Sequence, residues 1–91
     1  MVVDIDSTRA ESVASELRTK GITSAFHVAD VSEPNEIEAM VAATVAALGG
    51  LHVAVNNAGV NYNSAAEETP VCEWDATFAL NARGVFLCCQ V

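Results

Sequence analysis

Three polar endings and one isolated asparagine carry the residues of this sequence that could do chemistry. VVDID puts Asp4 at the end of an apolar run, HVADV puts Asp30 at the end of another, and LHVAVNNAG follows a third with Asn56, Asn57, Ala58 and Gly59. A carboxylate at such an ending can accept hydrogen bonds from both hydroxyls of a ribose, and its charge repels a 2'-phosphate. Asp30 with Val31 pairs an acceptor for an adenine amino group with an apolar surface for the ring. Each residue also has a plainer use. Asp4 can favour a helix N-terminus, a role Asp6 beside Ser7 fills at least as well. Asp30 can cap the turn into a following helix, and Asn and Gly are ordinary turn formers. The fourth residue, Asn81, falls on an apolar stripe with Trp74, Phe78, Val85 and Cys89 at helical spacing. A buried asparagine there must be hydrogen-bonded, either to a neighbouring loop for structure alone or as part of a site.

The elements that position these residues follow from the spacing of apolar side chains. Met1 to Ile5 reads as the end of a strand, followed by a helix from Ser7 to Lys20 with Ala10, Val13, Ala14 and Leu17 on one face. Ser7 is its expected N-cap and Gly21 its stop. Ser24 to Ala29 reads as a second strand, closed by Asp30. A helix follows Ser32, with Pro34 in its first turn and a stripe of Ile37, Met40, Val41, Val45 and Leu48, ending at Gly49-Gly50. Leu51 to Val55 makes a third strand, a loop runs to Val71, and a third helix begins near Glu73. Gly84 weakens that last helix by about 1 kcal/mol relative to Ala, which suits a local distortion beside Asn81. Alternating strands and helices predict an α/β fold with a parallel, doubly wound sheet. All three polar endings then lie at one sheet edge, where such folds bind ligands. Together they favour a nucleotide.

Composition narrows the class. With 91 residues the chain is one small domain or part of one, and 52% hydrophobic content with a net charge of -8 fits a folded protein rather than an acidic tail. The four basic residues, Arg9, Arg18, Lys20 and Arg83, form no patch for nucleic acid. No apolar run reaches the roughly 20 residues of a membrane span, and Asp4 and Asp6 stand where a signal peptide would be basic. Cys72, Cys88 and Cys89 lack metal or disulfide-framework spacing, so reduced thiols in the cytoplasm are expected. His27 and His52 have no third ligand and read as sheet residues; no metal site is expected.

VVDID, HVADVSEP, VAVNNAG and WDATFALNARGVFLCCQ together resemble the middle of a short-chain dehydrogenase/reductase, over essentially the whole chain. The resemblance implies a partial, Rossmann-type NAD-binding domain over residues 1–91, with three strands and three helices. It implies an NAD-dependent oxidoreductase that moves a hydride between nicotinamide and a carbonyl or alcohol substrate. It assigns Asp4 and Ile5 to the adenosine ribose and NAD selection, and Asp30 and Val31 to adenine. Asn57, Ala58 and Gly59 match the turn beside the adenosine, and Asn81 matches the helix residue whose carbonyl holds a water of a proton relay. The partners implied are a small-molecule substrate and, in the complete protein, further copies of the chain.

The same resemblance marks what this sequence does not contain. Tyr62 is followed four positions on by Ala66 rather than Lys, and the only Lys is Lys20, so the expected Tyr-Lys proton donor is missing. Gly21, Gly49, Gly50, Gly59 and Gly84 form no G-x-x-x-G-x-G turn for a pyrophosphate. The chain is therefore expected to be a fragment lacking the first strand of the sheet and the C-terminal part, inactive alone. A nucleotide-binding or interaction module without catalysis is the alternative. A receiver-type signalling domain fits less well, because its third strand would not end in Asn.

Overall fold

In the computed structural model, which describes residues 1–91, β1 (Val2–Asp4) and β2 (Phe26–Val28) form a two-stranded parallel sheet with Val3 opposite His27. Parallel neighbours cannot be joined by a tight turn, so the chain crosses over through α1 (Ser7–Thr19). Ala10 and Ala14, only 1% and 0% exposed, let the helix backbone approach the sheet closely. The Ser24 hydroxyl donates to the Ala14 carbonyl at 2.7 Å, tying the segment before β2 to the same helix. The N-cap is Asp6 rather than Ser7. Its Oδ1 accepts from the amides of Thr8 at 2.9 Å and Arg9 at 3.1 Å, since a carboxylate one residue earlier reaches both free donors. Gly21, at φ 77°, carries the chain out of the helix as expected.

α2 (Pro34–Leu48) starts with Pro34 in its first turn and ends at Gly49, whose φ of 83° only glycine adopts cheaply. Ile37 is its fully buried anchor. Val45 is half-exposed while Thr44 is buried, its hydroxyl satisfied by donating to the Met40 carbonyl at 2.8 Å. After a 3-10 turn at Ala66–Glu68, one continuous helical rod closes the chain. It comprises α3 (Val71–Phe78), a π-helical segment (Ala79–Gly84) and α4 (Val85–Gln90). The distortion expected near Gly84 is this π segment.

The third strand does not form. Leu51–Val55 takes part in no ladder, and the main-chain bond of this stretch runs from the Asn57 amide to the Val55 carbonyl at 3.1 Å. The reason lies in its neighbour. Val2 and Asp4 direct their main-chain groups to β2, through Val2 N–H to Ala25 O at 2.9 Å and Ala29 N–H to Asp4 O at 3.2 Å. Val3 therefore faces the opposite edge, and there a cavity of about 840 Å³ separates β1 from Leu51–Val55. Val53 and Val55 are left 80% and 84% exposed. β1 and β2 pair in parallel, the third segment stands apart, and the α/β class read from the sequence holds with a two-stranded sheet.

A fold with this gap has little to hold it. Six of 91 residues are buried, and the radius of gyration of 15.0 Å exceeds the about 12 Å of a compact domain of this length. Exposed strand edges invite association with other chains. The isolated chain should unfold without a sharp cooperative transition and bind a hydrophobic dye before heating. Scanning calorimetry checks this, and a narrow endotherm would contradict it.

Candidate functional site

The three polar endings meet on one cavity. Asp4, Ile5, Asp30, Val31, Asn57, Ala58 and Gly59 all line the space that separates β1 from the third segment. They converge because β1 and β2 are parallel in register, which sets Asp4 opposite Val28 and leaves Asp30 two residues further along the same edge. The candidates named from the sequence for a nucleotide are therefore brought together. Asn81 is not among the lining residues and lies behind the Asn56–Gly59 turn.

Each turn is organised by its own polar residue. Asp4 Oδ1 accepts the Asp6 amide at 2.9 Å, which turns the chain into α1 and leaves Ile5 68% exposed. Asp30 Oδ1 accepts both the amide of Ser32 at 2.9 Å and its hydroxyl at 2.7 Å. The Asp30 amide donates to Glu36 Oε2 at 2.6 Å, a reach-back from the first turn of α2. The capping role open to Asp30 is thus real, and it fixes the carboxylate beside Val31. Arg9 also lines the cavity, where it brings a positive charge near Asp4. Its Nε lies 3.4 Å from Asp6 Oδ2, an exposed pair that contributes little to stability.

Asn81 holds the third turn from behind. Its Oδ1 accepts the Val60 amide at 2.9 Å and its Nδ2 donates to the Val60 carbonyl at 2.7 Å. One side chain thus satisfies both main-chain groups of a residue 21 positions away. It is exposed rather than buried as the apolar stripe suggested, because the stripe is itself largely exposed, Trp74 and Phe78 included. Gly59 is explained by the same contact. A Cβ there would stand 3.1 Å from Asn81 Oδ1, so glycine permits the approach. Sequence spacing flagged Asn81 and Gly59 separately; their contact carried no signal because the loop between them has no periodicity.

Two features were not legible. Gly84 packs so closely that a Cβ would stand 2.8 Å from the Val31 carbonyl oxygen, and Arg83 Nη1 donates to the Ser32 carbonyl at 2.9 Å. Cys88 lies on the cavity wall. Burial, and then the neighbouring Cys89, push its thiol above the ordinary value. His27 lies in β2 as expected, but His52 lies in the unpaired third segment.

Comparison with known proteins places this geometry. The family model described as short chain dehydrogenase matches residues 1–91. The 3-oxoacyl-[acyl-carrier-protein] reductase FabG of Staphylococcus aureus is 37% identical over 82 residues, covering 90% of this chain and 33% of that protein. A short chain dehydrogenase/reductase from Burkholderia phymatum in complex with NAD superimposes with a TM-score of 0.92 at 28% identity, over 98% of this chain and 32% of the other. A gluconate 5-dehydrogenase from Burkholderia cenocepacia, in complex with NADP and tartrate, does so with a TM-score of 0.86 at 27% identity, over 98% and 35%. The chain spans about a third of the length of the curated relatives it matches.

The double hydrogen bond of Asn81 sets a measurable expectation. Asn81→Ala should speed exchange of the Val60 amide by about fivefold, the factor that corresponds to ~1 kcal/mol of lost hydrogen bonding. Asn81→Asp, which keeps the acceptor for Val60 N–H, should change that amide less. Site-resolved hydrogen exchange checks both, and equal rates in all three proteins would remove the clamp from the account.

Proposed function

The chain belongs to the short-chain dehydrogenase family, and from that premise we propose that it supplies the adenosine-binding part of an NAD-dependent oxidoreductase. The observation that carries this is the convergence of Asp4, Ile5, Asp30, Val31 and Asn57–Gly59 on one cavity. The donor set suits an adenosine. Asp4 commits one carboxylate oxygen to the Asp6 amide, which orients the other toward ribose hydroxyls. Asp30 is oriented by Ser32, ready to accept from an adenine amino group, while Ile5 and Val31 offer apolar surface to the ring and sugar.

NAD rather than NADP follows from charge. Asp4 would repel a 2'-phosphate, and Asp6, 3.4 Å from Arg9, sets a second negative charge beside the nearby cation. Of the solved relatives, one holds NAD and another NADP, so the choice rests on these residues rather than on kinship. When bound, the cofactor supplies the hydride donor or acceptor for an alcohol or carbonyl substrate. In the complete protein Asn81 holds a water with its main-chain carbonyl in a proton relay, and its side chain keeps the Asn57–Gly59 turn against the groove. Further copies of the chain complete the assembly.

Two expectations follow. In the full-length protein that carries these residues, kcat/KM for NAD should exceed that for NADP, and Asp4→Ala should narrow the ratio by about tenfold, the factor of one ~1.4 kcal/mol interaction. A preference for NADP in the unaltered protein would show that Asp4 is misassigned. The 91-residue chain alone, with Tyr62 followed four positions on by Ala66 rather than Lys, lacks the Tyr-Lys pair expected to donate a proton to a carbonyl. Incubated with NADH and a panel of ketones it should oxidise cofactor at the buffer rate. Faster oxidation, abolished by Asn81→Ala, would overturn this.

A further inference from the structure

Arg18 and Arg83 are the two basic residues outside the ion pairs, and whereas Arg18 donates to a carbonyl six positions away, Arg83 reaches across the chain. In a chain with 12 acidic side chains Arg83 pairs with none; the ion pairs are Arg9 with Asp6 and Lys20 with Glu16. Its guanidinium donates instead to a main-chain carbonyl, that of Ser32, at 2.9 Å and 51 positions away. The next residue, Gly84, is buried and meets the carbonyl of Val31, with no room for a Cβ between them. Of two consecutive residues of the π segment, one thus donates to the Ser32 carbonyl and the next packs against the Val31 carbonyl, both in the turn that presents Asp30 and Val31 to the cavity. The same segment carries Asn81, which grips Val60.

Resting on the nucleotide reading above, we propose that Arg83 and Gly84 are positioning residues for the adenine end of the site. Arg83 fixes the height of the Val31 surface against the ring, and Gly84 allows the helix to come near enough for it to do so. The turn has local support of its own, from Ser32 and Glu36 to Asp30. That support sets its shape, whereas Arg83 and Gly84 set its distance from the Asn57–Gly59 side of the groove. The π segment therefore acts as one spacer between the adenine end and the third turn. A guanidinium suits this task because it remains charged at every working pH, and a charged donor makes a stronger bond to a carbonyl than a neutral one.

The test uses the full-length protein that carries these residues, with adenosine monophosphate and nicotinamide mononucleotide as separate probes in calorimetry. Arg83→Met should weaken adenosine monophosphate by about tenfold, the effect of a lost hydrogen bond to a charged group, and leave nicotinamide mononucleotide unchanged. Arg83→Lys, which keeps a charged donor, should recover most of the loss. Gly84→Ala should weaken the adenine probe without altering helix content by circular dichroism. Unchanged affinity for adenosine monophosphate in Arg83→Met, or equal weakening of both probes, would overturn the proposal. Failure of the unaltered protein to bind adenosine monophosphate would instead overturn the nucleotide reading on which it rests.

Discussion

Main-chain pairing governs this molecule. A β-strand in the interior of a sheet needs partners on both edges, and unpaired amides and carbonyls are costly wherever water is excluded. β1 has a partner on one edge, and Leu51–Val55 has none. The exposed valines, the small core and the cavity all follow from that shortage. The same cavity is lined by the polar turns. The likeness to complete relatives, at a TM-score of up to 0.92, shows that the elements nevertheless hold the family's arrangement.

What holds them is a set of contacts that do not depend on a third strand. Alanines on α1 seat the helix against β1 and β2. Polar side chains then fasten the turns: Asp6 to the start of α1, Asp30 to Ser32, Asn81 to Val60, Arg83 to Ser32. Three of these residues belong to the edge where the nucleotide candidates lie or to the rod behind it. The groove is therefore built by turn chemistry as much as by strand pairing.

The helices, the two paired strands and the candidate groove were legible because each announces itself locally. Apolar spacing marks α1 and α2, Pro34 and Gly49 mark the ends of α2, and polar residues after apolar runs mark the ligand edge. Leu51–Val55 shows the limit of that legibility. Its residues favour a strand, but a strand exists only with a neighbour, and no property of five residues records whether one is present. The burial of Asn81 was misjudged for a related reason: the apolar stripe it was read on, with Trp74 and Phe78, is itself largely exposed, and periodicity does not record whether a stripe is covered. The grip of Arg83 on Ser32 spans 51 positions and is a product of tertiary approach alone.

The carboxamide of Asn81 presents a C=O and an N–H side by side, which is what a peptide unit presents. By meeting the N–H and C=O of a single residue, Val60, it reproduces one rung of a β-ladder with a side chain as the partner strand. Beyond the third segment, which has no strand neighbour, the chain thus meets a counterfeit of sheet pairing supplied by a helix. A primary amide offers both halves of that rung on two adjacent atoms, whereas a carboxylate has no donor and an ammonium has no acceptor. The identity of residue 81 is thereby constrained by backbone mimicry, independently of any catalytic water.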